Sequence, residues 1–205
     1  MLRTFGAGVL VAVLCGGASW AVRAQAPSGD GPQYASDGKL LRPADYREWV
    51  FVTSGLGMTY GPAASPASTS PRFDNVFVNL SAYRRFMQSG AWPDKTIFIL
   101  EIRSSATERS INRGGSFQTD VVAIEAAVKD ESRFVDKWAY FNFGTGGTFQ
   151  DSVDALPKSA SCYACHTQNA AVEQTFVQFY PTLFEVARRM GTVRPSYDPA
   201  AAPRH

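Results

Sequence analysis

The 205 residues are 45% hydrophobic and 19% charged, an ordinary globular composition with room for one domain once the ends are set aside. The formal charge is +2, and removing residues 1–24 takes away Arg3 and Arg23 with no acid, which leaves a neutral chain. A neutral surface gives no electrostatic grip on nucleic acid or anionic membrane, so neither is expected as a partner.

The N-terminus reads as a secretory signal. Met1-Leu2-Arg3 is followed by an apolar run from Phe5 to Leu14 and by small residues up to Val22-Arg23-Ala24. Cleavage after Ala24 is the first choice. A cut after Ala26 is the second, because it places Pro27 directly after the scissile bond. The apolar run is too short to span a bilayer comfortably and no other long one follows, so a periplasmic product with no membrane contact after processing is expected. Cys15 belongs to the signal, since Leu14 stands where a lipidation site has Gly or Ala.

Residues 25–40 are rich in Pro, Gly, Ser and Asp and read as a flexible leader, with the folded domain at 41–191. Pro43 to Val50 places proline at a helix start with acids in the first turns, which predicts a short helix packing Trp49 and Val50 inward and broken by Gly55 and Gly57. A Pro/Ala/Ser loop from Gly61 to Pro71 leads to a strand at Phe73 to Val78. A helix capped by Ser81 and stopped by Gly90 follows, carrying Tyr83, Phe86 and Met87.

Thr96 to Arg103, Phe117 to Val128 and Lys137 to Phe143 are rich in β-branched and aromatic residues and bounded by turn signals, which predicts three further strands. Their connections are too poor in helix for parallel crossovers. The fold class expected is therefore α+β, a mainly antiparallel sheet with flanking helices. Gly144 to Ser161 reads as a long loop, and Ala170 to Met190 has helical periodicity with a kink at Pro181. Residues 192–205 read as a flexible tail.

Between that loop and that helix lies Cys162-Tyr163-Ala164-Cys165-His166. Two thiols at this separation suit addition across the two vinyl groups of one haem, and the adjacent imidazole then lies over the iron. The motif predicts one covalently attached haem c, held by Cys162 and Cys165 and ligated by His166. A zinc site would need further ligands, and the mature chain offers only His205 in the tail. A redox pair normally opens a helix in a parallel context, whereas this one follows antiparallel strands. A plain disulfide is the remaining alternative in an exported chain. The axial histidine needs an acceptor for its second ring nitrogen, which the sequence does not name.

What stands opposite the histidine decides function. A methionine there makes an electron carrier, and an open position makes a gas-binding or catalytic haem. The candidates are Met58, Met87 and Met190, of which Met87 fits a helical core position and Met190 a helix end after two arginines. The haem motif also comes late in the chain, the reverse of a common soluble cytochrome c, which favours an open site.

Further matches are spread along the chain: Arg42 to Val50, the turn Trp92-Pro93-Asp94-Lys95 with its strand Thr96 to Glu101, Glu125 to Asp130, Leu156-Pro157, and Phe176 to Pro181. On these residues, from about Leu40 to Met190, the chain resembles the cytochrome P-460 and cytochrome c′-β family. The resemblance implies a mainly antiparallel β protein, homodimeric, with a five-coordinate haem. In the cytochrome P-460 branch a lysine bonds the haem and the protein oxidises hydroxylamine. Leu100 stands at that position here, and the nearest lysine, Lys95, sits at the turn.

Side chains two apart on a strand share a face, so Leu100 brings Phe98 and Thr96 with it, and Phe73 extends the surface from the neighbouring strand. The expected distal wall is thus apolar and admits small neutral ligands such as NO and CO, as in the cytochrome c′-β branch. Glu101, Arg103, Asp120 and Glu125 read first as a solvated sheet face, with a proton relay as the alternative. Asp154 and Lys158 precede the motif without an assigned role. Two other functions stay open: hydroxylamine oxidation, and electron transfer to an unidentified partner.

Overall fold

The computed structural model describes residues 29–60 and 70–197, so the signal segment, most of the Pro/Ala/Ser loop and the end of the tail lie outside the described residues. In chain order these residues form β1 (Leu40–Leu41), β2 (Val50–Leu56), β3 (Phe73–Val78), α1 (Leu80–Ser89), β4 (Ile97–Ala106), β5 (Phe117–Lys129), β6 (Trp138–Thr145), β7 (Ser152–Val153), α2 (Ser161–Asn169) and α3 (Pro181–Met190). Short 3-10 turns sit at Tyr46–Glu48 and Val177–Phe179.

β2 to β6 lie side by side in sequence order in one antiparallel sheet, and β1 pairs with β7 in a separate ribbon. This is the α+β architecture expected. Both faces of the sheet are covered, as the alternation on β4 shows. Ile97 and Ile99 are buried with Leu40, Tyr46, Ile124, Phe141 and Phe143 on the face that the β1/β7 ribbon closes. Phe98 points the other way, into a core with Val78, Trp92, Trp138 and the helices α1 and α3.

Helix α1 buries Ala82 and Phe86, one turn apart, and half-buries Tyr83 and Met87 beside them, which gives the stripe that meets α3. Gly90 ends it in the left-handed conformation, φ 69°. A side chain there would collide with Met190 and Thr192 at the end of α3, so the glycine permits both the cap and the close approach of the two helix ends. Helix α3 buries Leu183, Val186 and Ala187. Among the described residues no helix is long and apolar enough to cross a membrane.

Several expectations need correction. Pro43 to Val50 forms no α-helix: a 3-10 turn at Tyr46–Glu48 gives way to β2 at Val50, which pairs with Val78. The inward anchor is Tyr46, 1% exposed, whose hydroxyl donates to the Glu101 carboxylate. Gly55 does not break the chain but lies inside β2, where a side chain would overlap the thioether of Met58. Pro181 begins α3 rather than kinking a longer helix, because its fixed φ and missing N–H suit the first helical position.

Ser81 lies within α1 and does not cap it. Its backbone N–H and hydroxyl both donate to the carboxylate of Asp30. Asp30 belongs to the stretch expected as a flexible leader, and so do Tyr34, whose hydroxyl donates to Asp130 at 3.1 Å, and Leu40, which is fully buried. On the other side of the domain, Thr192 and Arg194 of the expected tail donate to the carbonyls of Gly90 and Ala171. The packed unit thus extends past 41–191 at both ends.

Candidate functional site

Helix α2 carries the motif. Cys162, Cys165 and His166 fall three and four residues apart, so they share one face of the helix. All three are half-buried, the two sulfurs are unlinked, and α2 has no fully buried residue. What this face meets is a cavity of about 520 Å³ between α2, the sheet and the segment Thr175 to Tyr180.

The His166 ring lies between Tyr140 and Phe176, with ring centroids 4.3 Å away on each side. Its Nδ1–H donates to the Gln174 carbonyl at 2.6 Å, since a carbonyl can only accept. Burial lowers the imidazole's pKa despite that bond, so the ring is neutral at pH 7. Nε2 therefore keeps its lone pair for a metal. The acceptor missing from the sequence reading is this Gln174 carbonyl. A backbone atom leaves no residue signature.

The opposite wall is the sheet face shared with the helical core. Cross-strand pairing aligns Phe98 with Ala127 and Ala127 with Tyr140, and in the next row Val76 with Leu100 and Leu100 with Glu125. All six side chains line the cavity. Phe98 and Leu100, both named for the distal wall from the sequence, are among these lining residues.

Phe73 does not line it. Alternation along β3 sends Asp74 and Val76 to the cavity, and Phe73 with Phe77 to the opposite face. Thr96 is absent from the wall too: it is fully buried just before β4, and its hydroxyl donates to the Pro93 carbonyl at 2.7 Å.

Nor is the wall wholly apolar. Asp74 and Glu125 both contribute to it, and burial pushes both carboxyl groups above the usual carboxylate range. The charge of Asp74 raises Glu125 further, while Arg72 pulls Asp74 partly back. Glu125 in turn adds to the burial that raises the Cys162 thiol. Of the three methionines, Met58 lines the cavity, Met87 packs into the helical core and Met190 is 44% exposed.

The other charged candidates lie elsewhere. Glu101 is 2% exposed and bound by Tyr46, Arg47 and Arg103 on the ribbon-covered face, so it is neither solvated nor part of the cavity. Asp120 and Asp154 are exposed, and Lys158 pairs with Asp136 at 2.8 Å. Among the described residues no lysine lines the cavity, and Lys95 is paired with Asp130 and Ser132.

The residues fit a haem. Two thiols and a neutral imidazole on one helix face could supply its attachment and ligation, and α2, which has no fully buried residue, faces a cavity lined largely by apolar and aromatic side chains. The hydroxyl of Tyr140 is buried without a hydrogen-bond partner among the described residues, a donor that a bound group can satisfy. A family model described as cytochrome P460 matches residues 43–177 of the chain. No curated protein matches it.

Proposed function

The chain belongs to the cytochrome P460 family, which implies haem binding, and on that premise we propose that it is a periplasmic monohaem c-type cytochrome that binds NO or a similar small gas. Cys162 and Cys165 attach the haem through thioether bonds, and His166 Nε2 ligates its iron. Once bound, the iron supplies one open coordination position for a diatomic ligand. The protein is exported by the signal segment at residues 1–24 and works as a homodimer, as the family resemblance implies.

The observation that carries this reading is Leu100 in the cavity wall with no lysine beside it. An aliphatic side chain there can neither bond the macrocycle nor neutralise a charged ligand, so it favours a small uncharged one. Phe98 and Val76 extend the same surface, and Gln174 holds the His166 ring in one orientation on the other side. These features support a reading nearer the cytochrome c′-β branch.

A second reading is favoured by a specific feature. Asp74 and Glu125, whose carboxyl pKa values burial raises, are groups that accept or deliver protons inside the cavity, as hydroxylamine oxidation requires. Absorption spectra of the purified protein in both redox states, with and without NO, test the proposal. High-spin spectra that respond to NO support it. A reduced spectrum indifferent to NO and CO would sink it, and steady turnover of hydroxylamine would favour the second reading.

A further inference from the structure

Residues Val172 to Thr175 form a tight turn closed by hydrogen bonds between the backbones of its two ends. Its first central residue, Glu173, sits at φ 49°, the left-handed region that such a turn ordinarily gives to glycine. Its second central residue is Gln174, whose carbonyl holds His166 Nδ1. A non-glycine residue in that conformation persists only where its surroundings over-determine it.

The surroundings here are specific to a carboxylate. One oxygen of Glu173 accepts the backbone N–H of Trp92 at 3.1 Å. The other accepts Nζ of Lys129 at 2.8 Å and the indole N–H of Trp138 at 3.2 Å. Lys129, its side chain 8% exposed, also donates to the Trp92 carbonyl at 2.6 Å and lies 3.7 Å from Glu131. Trp92 closes the clamp from its other side, its indole N–H donating to the Thr175 hydroxyl at 2.8 Å. Three elements of the sheet core, the turn before β4 and the facing ends of β5 and β6, thus converge on one side chain next to the residue that orients the histidine.

We propose that Glu173, through its part-buried pairing with Lys129, is a positioning residue for the axial ligand: it fixes the Gln174 carbonyl against His166 Nδ1 and so sets the strength of the iron–histidine bond. This rests on His166 ligating the iron. An acceptor held close to Nδ1–H gives the imidazole anionic character and strengthens its donation from Nε2. The ion pair therefore tunes the haem without touching it.

The test is resonance Raman spectroscopy of the reduced holoprotein, reading the iron–histidine stretching mode in the wild type, Glu173→Gly and Lys129→Met, with the reduction potential measured alongside. Glu173→Gly deletes the carboxylate while favouring the turn's backbone, so a role confined to the turn predicts an unchanged mode. The proposal predicts a shift of the mode to lower frequency in both variants. Loss of charge alone moves the potential in opposite directions in the two and leaves the mode in place, and that result would overturn the proposal.

If either variant does not fold, Glu173→Gln is read in the same way, with a smaller shift expected because its amide oxygen retains one acceptor. A wild type with no iron–histidine mode at all would refute the five-coordinate, His166-ligated iron on which the inference rests, and the inference with it. A wild-type mode that stays fixed in every variant refutes the inference alone.

Discussion

Leu100 on β4 and Glu125 on β5 are paired directly across the strands, and both face the same cavity. An aliphatic side chain and a carboxyl group with a raised pKa thus share the wall opposite the motif helix. The first selects against charge in a ligand, and the second supplies a proton that burial has made harder to lose.

That carboxyl makes stability depend on pH with a definite sign. Because the folded-state pKa of Glu125 is raised, its contribution is fully present below the ordinary carboxylate pKa and is lost as pH rises through the raised value. Thermal melts across this window should show stability falling with pH in the wild type. In Glu125→Gln the slope should flatten and the melting temperature at pH 7 should rise. An unchanged slope would place the titration elsewhere.

Substitutions on the two faces of the sheet should separate cleanly. Phe98 is 5% exposed, packs against Trp92 at 4.7 Å between ring centroids, and lines the cavity, so Phe98→Ala should cost about 3–5 kcal/mol and shift the haem absorption bands. Phe73→Ala, on the far face, should leave those bands in place. Denaturant melts and visible spectra of the two variants check both points.

Leu100→Ala should enlarge the open side of the cavity at a cost of about 1–3 kcal/mol, less than for a fully buried leucine because Leu100 is only half-buried. The account expects faster NO and CO association in stopped flow, with the iron–histidine mode unchanged. A slower association would mean that Leu100 guides the ligand rather than crowding it.

The framework of the sheet was readable from residues because β3, β4, β5 and β6 are dense in β-branched and aromatic side chains between clear turns. β2 was not, since Pro43 and its following acids imitate a helix start, and Gly55 looks like a breaker. Gly55 is paired with Asp74 inside the strand, and Met58 lies where a side chain of residue 55 would stand, a contact the local sequence does not reveal.

The error at Phe73 has a related cause. Both faces of this sheet are covered, so Phe73 and Phe77 on one side alternate with Val76 and Val78 on the other, and apolar periodicity names no inner face. Only the register to β4, Val76 opposite Leu100, decides the matter, and it brings in Asp74. Cys162, Cys165 and His166 could be grouped from the sequence because their spacing alone puts them on one helix face. The support of His166 by Gln174, Glu173 and Lys129 was not, because those contacts run through a backbone carbonyl and a partner 44 residues away.

Met58 separates gas binding from electron transfer, being the one methionine of the three that lines the cavity. If the iron's second position is open, Met58→Leu should leave the ferric and ferrous spectra as they are. Loss of a low-spin spectrum on this substitution would instead identify Met58 as the sixth ligand and the protein as an electron carrier.

The central claim is that Cys162 and Cys165 hold the haem covalently on the face of α2 that carries His166. The intact mass of the purified protein under denaturing conditions tests it most directly. The account predicts a single species with the mass of the chain from Gln25 plus one haem, and with both cysteines replaced by alanine a species that gives up its haem on denaturation. A bare polypeptide mass for the wild type, with the haem released, would contradict it.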